Sequence, residues 1–72
     1  MSEELVIVGW ANIARMFRMP ERTFRGRHGK ELLELGACFK MDLGNPPSTY
    51  VCAFPSYLMR WAGLKQRAGE VI

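Results

Sequence analysis

The chain has 72 residues, which points to one domain with a core that is marginal at this size. Its composition, 49% apolar and 24% charged, excludes intrinsic disorder as the default. The longest aliphatic run, Leu5-Val6-Ile7-Val8, is far short of the roughly 20 residues a spanning helix needs. Glu3 and Glu4 stand where a secretory signal would carry Lys or Arg, so a cytoplasmic protein with no membrane contact is expected, in a bacterial cell or phage-infected host.

The net charge of +3 is unevenly spread. Residues 15–30 hold Arg15, Arg18, Arg22, Arg25, Arg27 and Lys30 against Glu21 alone, a net +5, while the rest of the chain nets −2. Such a block in a small domain with a pI near 9.2 is the electrostatic footprint of nucleic-acid binding. A solvated helix face would carry the same run.

In chain order, residues 5–8 are short and β-branched, an extended lead-in or edge strand. Gly9 permits a sharp turn. Trp10, Ile13, Ala14 and Phe17 then fall on one face of a short first helix. Pro20 marks the start of a second helix, and Glu21 suits the positive end of its dipole. Phe24, His28, Leu32 and Leu35 form the apolar face of that helix, with His28 as a satisfied core histidine. The opposite face carries Arg22, Thr23, Gly26, Gly29 and Lys30, flanked by Arg25 and Arg27. The two glycines each cost about 1 kcal/mol in a helix interior. Either the helix is continuous and its backbone comes close to a large ligand, or it breaks between Gly26 and Lys30.

Gly36 reads as a left-handed cap. Residues 37–43 alternate, residues 44–48 form a loop and residues 49–54 return, which makes a β-hairpin. A loop centred on Asn45 would set Cys38 opposite Cys52, Phe39 opposite Val51 and Lys40 opposite Tyr50, placing Lys40 and Tyr50 on one exposed face. Pro55-Ser56 opens a last helix with Leu58, Trp61 and Ala62 as its apolar stripe, and residues 66–72 read as a frayed tail. Met16, Met19, Met41 and Met59 are expected to fill gaps.

The chemical inventory is thin. Cys38, Cys52 and His28 are too few and too scattered for a closed zinc site, so buried or half-buried reduced thiols are expected, with no metal and no cofactor. One His, one Asp and three Ser, with no nucleophile motif and no glycine-rich loop after a strand, argue against an enzyme.

Gly9-Trp10-x-x-Ile13-Ala14, Arg22-Thr23-Phe24, Glu31-Leu32-x-x-x-Gly36-Ala37 and Ala53-Phe54-x-Ser56-x-Leu58-x-x-Trp61 occur in this order. Together they resemble the signature of small prokaryotic and phage winged helix-turn-helix proteins. That group includes excisionase-like and mercury-regulator-like domains and the DNA-binding part of phage small terminase subunits. The resemblance implies an α+β winged helix-turn-helix domain of about three helices, a two-stranded hairpin wing and a short N-terminal strand. It implies sequence-specific binding of double-stranded DNA by a recognition helix over residues 20–35, as in a phage regulator, an excisionase-like architectural protein or a packaging component. Arg22 and Thr23 would start the groove-facing surface, and Arg25, Gly26, Arg27 and Lys30 would extend it. Lys40 of the wing would contact the backbone. Apart from the resemblance, Tyr50 is expected to touch sugar or phosphate from the face it shares with Lys40, and Arg18 of the basic block is counted with the DNA-binding residues. The chain differs from the pattern at Pro20, where Ser or Thr is usual, at Gly26 and Gly29, and in a wing tip without Lys or Arg. A module this small implies two copies on DNA, as a homodimer or cooperative assembly, or a bent site. The alternative class is a protein-interaction module that docks through an apolar wing or the last helix.

Overall fold

The computed structural model describes residues 5–72; Glu3 and Glu4 lie outside them. Strand β1 (Ile7–Val8) leads into Gly9, which sits at φ 88° and turns the chain into helix α1 (Trp10–Met16). Ile13 and Ala14 are fully buried from α1, and Trp10, Met16 and Phe17 pack against the same core. Helix α1 ends in a tight reversal. Arg18 takes the left-handed conformation at φ 56°, and the Met19 N–H donates to the Ala14 carbonyl at 3.1 Å. This is the way a helix closes when the residue after its last turn is left-handed.

Pro20 is the N-cap of helix α2 (Glu21–Leu35), one position before the first helical residue. Its carbonyl accepts the Phe24 N–H at 3.0 Å. The helix runs without interruption through Gly26 and Gly29 to a left-handed cap at Gly36, φ 78°. Strands β2 (Cys38–Leu43) and β3 (Ser48–Ala53) form the hairpin, and helix α3 (Pro55–Arg67) closes the chain over α1 and α2. Three helices stand on a three-stranded antiparallel sheet of order β1-β3-β2, an α+β arrangement. The expected two-stranded hairpin thus gains β1 as a third strand, with Ile7 opposite Ala53 and Val8 opposite Cys52.

The core is aromatic. Phe24 is fully buried and meets Phe17 at 5.3 Å, Trp61 at 6.2 Å and Trp10 at 6.5 Å between ring centroids. Burying an aromatic side chain removes its whole apolar surface from water, and such ring pairs add about 0.5–1.5 kcal/mol each. Leu32, Leu58, Ala53 and Cys38 complete this layer.

Four expectations need correction here. Leu35, placed on the apolar face, is 66% exposed: it is the last residue of α2 and lines an open groove with Tyr57 and Leu64 instead of packing into the core. Met41 and Met59 are exposed rather than gap-filling. Residues 66–72 do not all leave the body as a frayed tail. Gln66 and Arg67 belong to α3, the Glu70 N–H donates to the Lys65 carbonyl, and Ile72 packs against the core. The hairpin register is also shifted by one. Cys38 faces Ala53, Phe39 faces Cys52, Lys40 faces Val51 and Met41 faces Tyr50. The turn is the even-numbered stretch 44–47, centred between Asn45 and Pro46, and loop length fixes register in a hairpin. Among the described residues, no helix is long and apolar enough to cross a membrane.

Candidate nucleic-acid interface

Helix α2 has two distinct sides. Phe24, His28, Gly29 and Leu32 are buried, whereas Arg22, Arg25, Gly26, Arg27 and Lys30 are exposed and Thr23 is half-buried. At about 100° per residue, Gly26 and Lys30 lie opposite His28, with Arg22 and Arg27 on their flanks. Glu21, Arg22, Arg25 and Gly26 line a shallow depression near the start of the helix. Among the described residues, the side chains of Arg18, Arg22, Arg25, Arg27, Lys30 and Lys40 have no hydrogen-bond or ion-pair partner within the protein. Their charged ends face solvent, with Glu21 beside Arg22 and Arg25, exposed Glu34 one turn from Lys30, and Asp42 on the Lys40 face.

The two glycines part company. A Cβ on Gly29 would stand 3.2 Å from Trp10 Cη2 and 3.5 Å from Arg25 Cγ, so Gly29 is where α1 crosses α2 closely. Gly29, expected on the polar face opposite the core, is instead buried against α1. A Cβ on Gly26 would meet nothing within 4 Å. Its backbone is ordinary helix, so the fold gives no reason for the missing side chain.

The hairpin divides the two wing residues. Lys40 lies on the face with Asp42, Val51 and Thr49, where the Thr49 hydroxyl donates to Asp42 Oδ1 at 2.6 Å. Tyr50 lies on the other face, opposite Met41. Lys40 and Tyr50 are both exposed, but they do not share a surface as expected. Arg18, in its left-handed turn, stands at the head of α2.

A polar clasp holds α2 against α3 from the inner side. Glu31 accepts from Trp61 Nε1 at 2.7 Å and from Lys65 Nζ at 2.8 Å, and Lys65 also reaches Glu70 at 3.4 Å. The hydrogen bonds from Lys65 and Trp61 hold the Glu31 carboxyl below the usual range. The bond to Glu31 raises Lys65. His28 lies beneath Trp61 at 5.0 Å and beside Phe24 at 5.3 Å. It is 9% exposed, and among the described residues its Nε2 has no partner, contrary to the expected satisfied histidine. Burial lowers its pKa from 6.5, outweighing the opposing pull of Glu31.

Cys38 and Cys52 are buried free thiols on opposite faces of the sheet. Burial pushes Cys38 up to about 11, which leaves it protonated and unreactive near neutrality. No group of three His, Cys, Asp or Glu suited to a metal ion exists among the described residues.

The basic block omits Arg60 and Arg67, which lie outside it in sequence but project from α3. The available signal was their seven-residue spacing, two helical turns apart. Comparison with family models, curated proteins and solved structures found no match to this chain.

Proposed function

We propose that the protein binds double-stranded DNA as a winged helix-turn-helix module, with the outer face of α2 in the major groove and no enzymatic activity. The observation that carries this reading is the exposed, predominantly basic face of a continuous helix built around Gly26, whose Arg and Lys side chains form no ion pair among the described residues. Glycine at that open helical position forgoes about 1 kcal/mol of helix propensity, and nothing packed within the fold gives a reason for it. Close approach of the α2 backbone to a groove wall supplies one. The major groove is about 12 Å wide and accepts one helix. Arg22, Arg25, Arg27 and Lys30 then reach phosphates and base edges from the helix flanks, Arg18 meets the backbone at its head, and Lys40 contributes from the hairpin. Repressor, excisionase-like and packaging roles in a cytoplasmic setting share this chemistry.

Fluorescence anisotropy with duplex DNA at two salt concentrations tests the reading. Arg22→Ala, Arg25→Ala and Arg27→Ala combined should abolish tight binding and flatten the salt dependence by about 0.9 in slope per phosphate contact removed. Unchanged affinity in the triple variant would overturn it.

A second reading rests on a different surface. Leu35, Ala37, Tyr57, Trp61 and Leu64 line an apolar groove beside Arg60, and Leu35, Tyr57 and Leu64 are each at least half exposed. A protein partner seated there would bind with little salt dependence, which the same titration separates from DNA binding.

A further inference from the structure

Helix α3 carries Arg60, Lys65 and Arg67 and no acidic residue. Lys65 is engaged by Glu31 and Glu70. Arg60 and Arg67 are exposed, and among the described residues neither has a hydrogen-bond or ion-pair partner. Gly63 lies between them on the same helical stripe, at i+3 from Arg60 and i−4 from Arg67. A Cβ on Gly63 would meet nothing within 4 Å, and its φ is not positive. Met59, Arg60, Gly63, Leu64 and Arg67 line a shallow depression with no acid in its wall. This repeats the composition of the α2 face: an open helical glycine flanked by unpaired arginines.

The two faces point away from each other. α3 meets α2 through Trp61 and Lys65, which touch His28 and Glu31. At about 100° per residue, Gly26 and Lys30 lie roughly 150° around α2 from His28 and Glu31. Arg60, Gly63 and Arg67 likewise lie roughly 150° around α3 from Trp61 and Lys65. Both basic faces are therefore directed outward along the line joining the two helices, in opposite senses. One straight duplex seated on α2 leaves α3 free.

We infer that the Arg60–Gly63–Arg67 face of α3 is a second site for a nucleic-acid phosphate backbone, so that a single molecule holds two duplex segments together. The inference rests on the reading of α2 as the first DNA site and extends it. The chemistry is that of phosphate recognition: two guanidinium forks about two turns apart, with a backbone bare of side chain between them. An acidic protein segment is the competing occupant. It is less favoured because the depression offers only Met59 and Leu64 as apolar contacts at its edges.

The test immobilises a short duplex, loads the protein below saturation, and measures capture of a second, fluorescently labelled duplex. The parent should capture it, with capture lost as salt rises. Arg60→Ala with Arg67→Ala should leave first-duplex affinity and melting temperature unchanged and lose the capture; Arg60→Lys with Arg67→Lys, which keeps the charge but not the fork, should restore only part of it. Undiminished capture by the alanine pair would overturn the inference, since a dimer presenting two α2 helices would bridge regardless of α3. So would a parent that binds the first duplex and captures no second, or an α3 face that binds polyglutamate but no duplex. If instead the α2 triple variant still binds duplex and only the α3 pair abolishes binding, the α3 site stands and the α2 reading falls.

Discussion

Gly26 and Gly29 are three residues apart in one helix, yet alanine should act on them in opposite ways. At Gly26 the added methyl enters open space and the backbone is already helical. The full propensity gain of about 1 kcal/mol should appear as stability. In a domain of this size that corresponds to roughly 4–8 °C in melting temperature. At Gly29 the methyl would stand 3.2 Å from Trp10 Cη2, closer than ordinary contact. Trp10 is itself held against Phe24 in the aromatic core, so it yields only by disturbing that packing. Overpacking costs typically about 1–3 kcal/mol, which cancels or exceeds the propensity gain. Thermal and urea unfolding of Gly26→Ala and Gly29→Ala measure the pair. The expected order is Gly26→Ala above the parent and Gly29→Ala at or below it. Duplex affinity should move the other way for Gly26: alanine weakens binding, and leucine at the same position weakens it further. A lower melting temperature for Gly26→Ala would refute the continuous unstrained helix. A higher one with unchanged affinity would refute the close approach to DNA, and equal stabilisation at both positions would refute the tight crossing at Trp10.

Removing the Glu31 carboxylate leaves the Trp61 indole N–H without its acceptor at a residue only 4% exposed, so Glu31→Ala should cost about 1–3 kcal/mol. Glu31→Gln keeps an acceptor and should cost distinctly less; equal melting temperatures for the two variants would contradict this account. The folded pKa of His28 lies below its unfolded value of 6.5, so its neutral form is favoured by folding. Stability should be full above pH 6.5 and decline as the pH falls toward the folded pKa, and Glu31, also lowered, should extend the loss further into acid. His28→Leu should remove the upper part of that decline, whereas a flat parent profile between neutrality and pH 5 would refute it. The thiols should stay silent toward a disulfide reagent at pH 8 until denaturant is added, because both are buried and Cys38 is held to about 11. Rapid labelling of the native protein would show the sheet to be open at Cys38.

What the sequence determined by itself was local. Pro20 and Gly36 bracket α2 because one suits the start of a helix and the other a left-handed end, and neither depends on distant residues. Trp10, Ile13, Ala14 and Phe17 declared one face of α1 through spacing alone, and the basic block was visible as a run of charge. The continuity of α2 across two glycines was not decided there, because a propensity loss of about 1 kcal/mol each is small against tertiary packing. The structure decided it by burying Gly29 under Trp10 and Phe24 among four aromatic partners. Register was likewise tertiary. A one-residue shift in turn length separates Lys40 from Tyr50, and β1 on the far side of β3 helps to hold the strand in place. The exposure of Leu35 and the unpartnered Nε2 of His28 depend on where α3 lies, which no spacing within α2 encodes. The same holds for Arg60 and Arg67. Two isolated arginines in a sequence become a single outward face only once Trp61 and Lys65 have fixed which side of α3 is turned inward.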